Sequence, residues 1–174
     1  MTDYKSLARV ALFAALIAVL GLIPKLDIPI AAGVPITAQT LGVMLAGLLL
    51  GPRHGLLAVL LFMFAVALGA PVLSGGRGGL GVFFGPTVGF LAGWVAGAWV
   101  CGWAYQRVHS ALLACWLGGI GVVYAFGMLG LALISGLSPS QAALATLVFL
   151  PGDILKSLLA AWVVSRLHMK RRDP

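Results

Sequence analysis

Pro151-Gly152-Asp153-Ile154-Leu155-Lys156 places a carboxylate and an ammonium inside an otherwise apolar, membrane-type stretch. Charges in such a setting are costly and tend to mark a ligand path or an ion pair. A spacing of three puts Asp153 and Lys156 on one helical face. The Pro151-Gly152 pair breaks any helix arriving from Gln141 to Leu150, so Asp153 is expected near the positive N-terminal end of a half-helix. Two readings fit this stretch. One is a helix N-cap with a local ion pair; the other is a polar ligand site built at a broken membrane helix.

Working outward, 61% hydrophobic and 9% charged residues in a chain of 174, with mean hydropathy +1.11, describe an integral membrane protein rather than a soluble enzyme. The formal charge of +7 is gathered at the ends and in short loops, where it reads as a topology signal and not as a nucleic-acid footprint. Cys101 and Cys115 fall in apolar surroundings without histidines at ligand spacing, so they are expected to be packing residues. The first apolar stretch has no convincing small-residue cleavage site and is read as a span.

A single all-α membrane domain with six spans follows, at 7–23, 38–51, 55–70, 86–106, 111–135 and 141–167. The second and third are short for a hydrocarbon core of about 30 Å, which takes about 20 helical residues. Pro52-Arg53-His54-Gly55 between them reads as a tight turn at a membrane face. Counted by alternate loops, Lys5, Arg9, Arg53, Arg107, Arg166, Lys170, Arg171 and Arg172 share one side, against Lys25 and Arg77 on the other. The termini are therefore expected in the cytoplasm. Trp99, Trp103, Trp116 and Trp162 fall toward the same ends, as an interfacial aromatic belt.

Two outer connections are rich in Gly and Pro. Residues 24 to 37 include Asp27, Pro29, Gly33 and Pro35. Between Gly69 and Pro86, Ser74-Gly75-Gly76-Arg77-Gly78-Gly79-Leu80-Gly81 precedes Val82-Phe83-Phe84, which is apolar enough to lie in the interface or fold back onto the protein. This run is either a lid whose backbone donors, Gly75 among them, serve a ligand, or an ordinary flexible turn. A phosphate loop of the G-x-x-x-x-G-K-[ST] type is absent, so ATP is not hydrolysed by this polypeptide. Gly85, Gly89, Gly93 and Gly97 strip one face of the fourth span; Ala11, Ala14, Ala15 and Ala18 smooth the first. Internal helix packing is the default for both stripes, with a partner surface as the other possibility.

The polar inventory within the spans is Gln39, Thr40, Thr87, Tyr124, Asp153 and Lys156. Gln39 and Thr87 converge with the Asp and Lys if the spans surround one outward-opening pocket. Alone, Thr87 fits a bond to a nearby carbonyl, and Tyr124 an interfacial or core position. His54, His109 and His168 lie far apart in topology, so no metal site is expected, and no cofactor motif is present. An intramembrane aspartyl protease needs two acids where only Asp153 stands, and no catalytic residue is assigned.

In order and spacing these residues resemble the BioY proteins, the biotin-specific substrate-binding (S) components of energy-coupling factor (ECF) transporters. The resemblance rests on Ala11-Leu12-Phe13-Ala14-Ala15-Leu16, Val34-Pro35-Ile36-Thr37-Ala38-Gln39-Thr40, Gly69-Ala70-Pro71-Val72-Leu73-Ser74 with Gly78-Gly79-Leu80-Gly81, Gly85-Pro86-Thr87, and Pro151 to Lys156. Val88 departs from the family pattern, which has glycine after Gly-Pro-Thr.

The resemblance implies a six-helix S component in a prokaryotic cytoplasmic membrane. It would capture biotin from outside and pass it inward when joined to a transmembrane coupling subunit and two ATPases. It also implies that Asp153 and Lys156 contact the ligand, and that Ala11, Ala14, Ala15 and Ala18 dock on the coupling subunit. Asp153 is expected to accept from a ureido N–H and Lys156 to donate to a ligand oxygen, each bond worth about 1.5–3 kcal/mol in a dry pocket. Gln39 and Thr87 are further contact candidates, with Arg77 and Gly75 from the outer loop, Arg77 as carboxylate partner. The alternative is a self-sufficient secondary carrier in which Asp153 exchanges a proton and Lys156 is its counter-charge.

Overall fold

The computed structural model describes residues 4–25 and 33–169, and every named element among them is helical, with isolated bridge pairing at Leu73 and Arg77. Asp27 and Pro29 of the first outer connection, with Asp3, Lys170, Arg171, Arg172 and Asp173 at the termini, lie outside the described residues. Helix α1, Tyr4–Leu20, turns Val10, Ala14 and Ile17 inward, one stripe at helical spacing.

Helix α2, Gln39–Ala67, is interrupted at Gly51, whose φ of 78° and ψ of 179° leave the helical region. Pro52 follows, where a missing N–H is harmless at the start of a new helical segment. The two halves fold back on one another: a Cβ on Gly55 would lie 2.9 Å from the Ala46 carbonyl and the Gly47 Cα. In a continuous helix residues nine apart stand about 13 Å from each other. The reversal thus begins one residue before the tetrapeptide Pro52 to Gly55.

Helix α3, Val88–Val108, is reached through a short 3-10 helix, Leu80–Phe84. Val82 and Phe83 of that turn pack on the core while Leu80 and Phe84 are exposed, so part of the apolar run folds back onto the protein. The glycine stripe of α3 is an internal contact. A Cβ at Gly89 would strike the Phe126 carbonyl, and one at Gly93 would come within 3.0 Å of Val123 Cα, whereas Gly85 meets nothing.

Helix α4, Ala111–Ala114, runs through a π-helical stretch, Cys115–Val122, into α5, Val123–Ser135. Ser110 caps its start and left-handed Gly136 its end. Helix α6, Pro139–Leu147, opens on a capping box of Ser138 and Gln141. Helix α7, Leu150–Met169, follows after a bend of 50°. The break falls at Val148 and Phe149, upstream of the expected Pro151-Gly152, and both of those residues lie inside the first turn of α7. Pro151 still explains it: with no N–H to give the Leu147 carbonyl, and a ring that clashes there, it forces the incoming helix to stop at Leu147.

Among the described residues three helical segments are long and apolar enough to cross a membrane, Gln39–Ala67, Val88–Val108 and Ala111–Ser135, and the bent pair α6–α7 makes a fourth if it is one span. Among the described residues the core divides into a cluster around Ile17, Phe62, Trp94 and Phe149, another around Met44, Cys101, Cys115 and Val164, and a small one of Val10, Ala46 and Ala58. Both cysteines are buried, with Cys101 Sγ 3.7 Å from the Met44 carbonyl. Trp99, Trp103, Trp116 and Trp162 are all exposed, and Arg107 and Arg166 lie over the rings of Trp103 and Trp162.

Candidate ligand site

The N-terminal ends of α2 and α7 meet across the core, and each delivers a polar side chain to the meeting point. Asp153, in the first turn of α7, benefits there from the positive end of the helix dipole. Its Oδ1 accepts from Lys156 Nζ at 2.7 Å and from the Thr40 hydroxyl at 3.0 Å; its Oδ2 accepts from the Tyr124 hydroxyl at 2.8 Å. Lys156 Nζ also donates to Thr40 Oγ1 at 2.9 Å. One hydroxyl thus gives its proton to the acid and takes one from the ammonium. Both charges are desolvated, the side chain of Asp153 being 4% exposed and that of Lys156 16%. Charges so placed persist only when paired and hydrogen-bonded.

This polar cluster forms one end of a cavity walled by Val34, Pro35, Phe90, Trp94, Val123 and Phe149, enclosing about 350 Å³ of empty space, part of it open to solvent. The aromatic wall is held edge to face, Phe90 against Phe149 at 5.5 Å. A second cavity adjoins it, with about 290 Å³ of empty space that is likewise partly open to solvent; it shares Val34, Pro35, Thr37, Phe90 and Trp94 and is lined further by Gln39, Leu73, Ser74, Arg77 and Thr87. An apolar wall with a few convergent polar groups is how small-molecule sites are generally built.

Of the residues singled out in the sequence, Asp153 and Lys156 come together in the first cavity, and Gln39, Thr87 and Arg77 line the second. Gln39 is fully buried with its amide engaged: Nε2 donates to the Ile17 and Val72 carbonyls at 3.0 and 3.1 Å, and Oε1 accepts the Ser74 N–H at 3.0 Å. It ties α1, α2 and the outer loop together instead of leaving groups for a ligand.

Gly75 is elsewhere. It is exposed beside Lys25 and lines neither cavity, because the loop closes into a tight turn between Leu73 and Arg77, with left-handed Gly75 and Gly76 at its tip. Val88 is half-buried and lines neither cavity as well. The alanine stripe splits: Ala11 and Ala15 face outward, Ala18 is half-buried against the core, and Ala14 is buried within it. Thr40 and Tyr124 are what the sequence reading underrated. Both were visible as polar groups in apolar spans, but nothing local linked them to Asp153. Trp94, Phe90 and Phe149 carried no such signal, since buried aromatics are the norm in a core.

The fold and this site define a class: an all-helical multi-pass membrane protein with an apolar cavity closed at one end by a buried ion pair. The BioY family model matches residues 1–173. The chain is 48% identical over 171 residues to the biotin transporter BioY of Rhizobium etli, covering 90% of this chain and 89% of that one. It is 45% identical over 182 residues to the biotin transporter BioY of Rhodobacter capsulatus, covering 96% and 95% of the two chains. Its fold is similar to the crystal structure of the S-component for biotin from an ECF-type ABC transporter, with a TM-score of 0.88, 32% identity, and coverage of 97% of this chain and 95% of that one. The chain belongs to the BioY family.

Proposed function

We infer that this protein captures biotin in the joined cavities and serves as the S component of an ATP-driven uptake system. The observation that carries the reading is the Asp153–Lys156–Thr40–Tyr124 cluster at the end of an apolar cavity, in a chain similar to biotin transporters along nearly its whole length. Biotin offers ureido N–H donors, a carbonyl acceptor, an apolar thioether ring and a carboxylate. Asp153 Oδ2, held at present by one hydroxyl, accepts a ureido N–H; Lys156, with two of its three protons committed, gives the third to a ligand oxygen. The ring system lies against Trp94, Phe90 and Phe149. Thr87 and Arg77 line the far end, Arg77 as partner of the carboxylate, and Gln39 positions the loop that carries Ser74 and Arg77. No cofactor takes part, since capture requires no bond to be made or broken.

On this reading six segments cross the cytoplasmic membrane of a prokaryote: α1, the two halves of α2, α3, the α4–α5 helix, and the α6–α7 pair. The fold-back at Gly51 and the bend before α7 support that count. Both termini then face the cytoplasm, where basic residues gather. Ala11 and Ala15, outward on α1, meet a transmembrane coupling subunit whose two ATPase partners supply the energy. The test is uptake of labelled biotin in cells, with ATP depleted while the proton gradient is clamped. The S-component reading expects uptake to stop; uptake sustained by the gradient alone would favour the proton-coupled carrier.

A further inference from the structure

Ser74 is 1% exposed and lines the second cavity alongside Arg77 and Thr87. Its backbone is fixed on both sides: the N–H donates to Gln39 Oε1 at 3.0 Å, and the carbonyl accepts from Arg77 Nε at 3.3 Å. The turn between Leu73 and Arg77 locks the residue further. Its hydroxyl, by contrast, is buried and has no hydrogen-bond partner among the described residues. A buried hydroxyl in that condition is destabilising and uncommon in folded proteins, and one so rigidly mounted on a cavity wall is accounted for by a partner that arrives from the cavity.

The donors and acceptors at each end decide which end of a ligand arrives there. The first cavity ends in the Asp153–Lys156 pair, whose charges cancel and whose carboxylate takes N–H donors. The second cavity is lined by Arg77 and by the hydroxyl-bearing Ser74 and Thr87, groups that donate to a carboxylate. Trp94, Phe90 and Thr37 line both, so an elongated molecule spans them with its two ends among different polar groups. We propose that the Ser74 hydroxyl is a specificity-determining ligand contact, donating to the carboxylate end of the bound molecule while its ureido end takes Asp153 and Lys156. This assignment rests on the biotin reading above.

The test uses the purified full chain, wild type and Ser74→Ala, titrated with biotin and, by displacement of biotin, with the analogue in which a methyl group replaces the carboxylate. Thermal unfolding of the ligand-free proteins is measured beside it. Ser74→Ala is expected to weaken biotin binding roughly ten- to a hundredfold. It should leave the analogue's affinity unchanged, and leave the ligand-free midpoint unchanged or higher, because an unsatisfied hydroxyl has been removed. A purely structural role moves these readouts the other way, lowering the midpoint and weakening both ligands together. That pattern, or unchanged biotin affinity, overturns the proposal. Ser74→Cys, which keeps the volume but only a weak donor, is expected to shift biotin affinity in the same direction and guards against misfolding of the alanine variant. Folded wild-type protein that fails to bind biotin sinks the functional reading itself, a result distinct from an unaffected Ser74→Ala.

Discussion

The Thr40 hydroxyl sits between Asp153 Oδ1 and Lys156 Nζ, 3.0 Å from one and 2.9 Å from the other, and closes a three-membered polar ring at the junction of α2 and α7. The ring makes the two charges unequal in what they lose when separated. With Lys156 replaced by Met, Asp153 keeps the hydroxyls of Thr40 and Tyr124 and the helix N-terminus. With Asp153 replaced by Asn, Lys156 loses its only counter-charge among the described residues. Thermal unfolding of the ligand-free protein should therefore fall further for Asp153→Asn than for Lys156→Met, the former by about 3–5 kcal/mol. The double variant should recover much of the loss, since an uncharged pair leaves no stranded ion. Equal losses in all three would show that the ring does not control stability here.

Gln39 reaches one backbone group on α1 and two on the outer loop. Gln39→Leu strands the buried Ser74 N–H, at about 1–3 kcal/mol, and removes the donor to the carbonyl of half-buried Val72. The Ile17 carbonyl is spared because the Gly21 N–H also donates to it. Hydrogen exchange is expected to quicken across residues 70–79 and to stay slow in α5. Unchanged protection in the loop would refute the tie.

The contact of α3 with α5 is made where side chains are missing. Gly89→Ala adds a Cβ that collides with the Phe126 carbonyl, so it should destabilise by about 1–3 kcal/mol despite alanine's better helix propensity. Gly85→Ala, where the added Cβ meets nothing, should be close to neutral. Thermal midpoints in one detergent suffice to compare them.

Exposure divides the alanines of α1 into two experiments. Ala11→Trp and Ala15→Trp should leave biotin affinity and folding intact while abolishing transport, because they obstruct only an external surface. Ala14→Trp should instead unfold or destabilise the chain, since that Cβ is already buried in the core. Transport unaffected by bulk at both Ala11 and Ala15 would remove the partner from this face.

The helical membrane architecture was legible because hydropathy is averaged over long windows, and single misplacements do not spoil it. Asp153 and Lys156 were legible for the opposite reason: a charge in an apolar span stands out alone. Their partners were not. Thr40 is 113 residues from Asp153 and Tyr124 is 29 residues away, and no local periodicity encodes a contact across such distances. Gln39 shows the same limit, its polarity plain but its role fixed by α1 and a loop that only the folded chain brings near. The bend before α7 was placed late because proline acts on the carbonyl four residues back, so the visible break precedes the residue that causes it. Gly75 misled because a glycine-rich run has the same composition whether it covers a ligand or closes a tight turn at the surface.

The most direct measurement is titration of the purified chain with biotin in detergent, wild type beside Asp153→Asn and Tyr124→Phe. The account predicts nanomolar or tighter binding by the wild type, severe loss in Asp153→Asn, and an intermediate loss, near tenfold, in Tyr124→Phe, which removes one bond to the acid while keeping the ring in the wall. Folded wild-type protein that does not bind biotin, or an Asp153→Asn variant that binds it as tightly as the wild type, would contradict it.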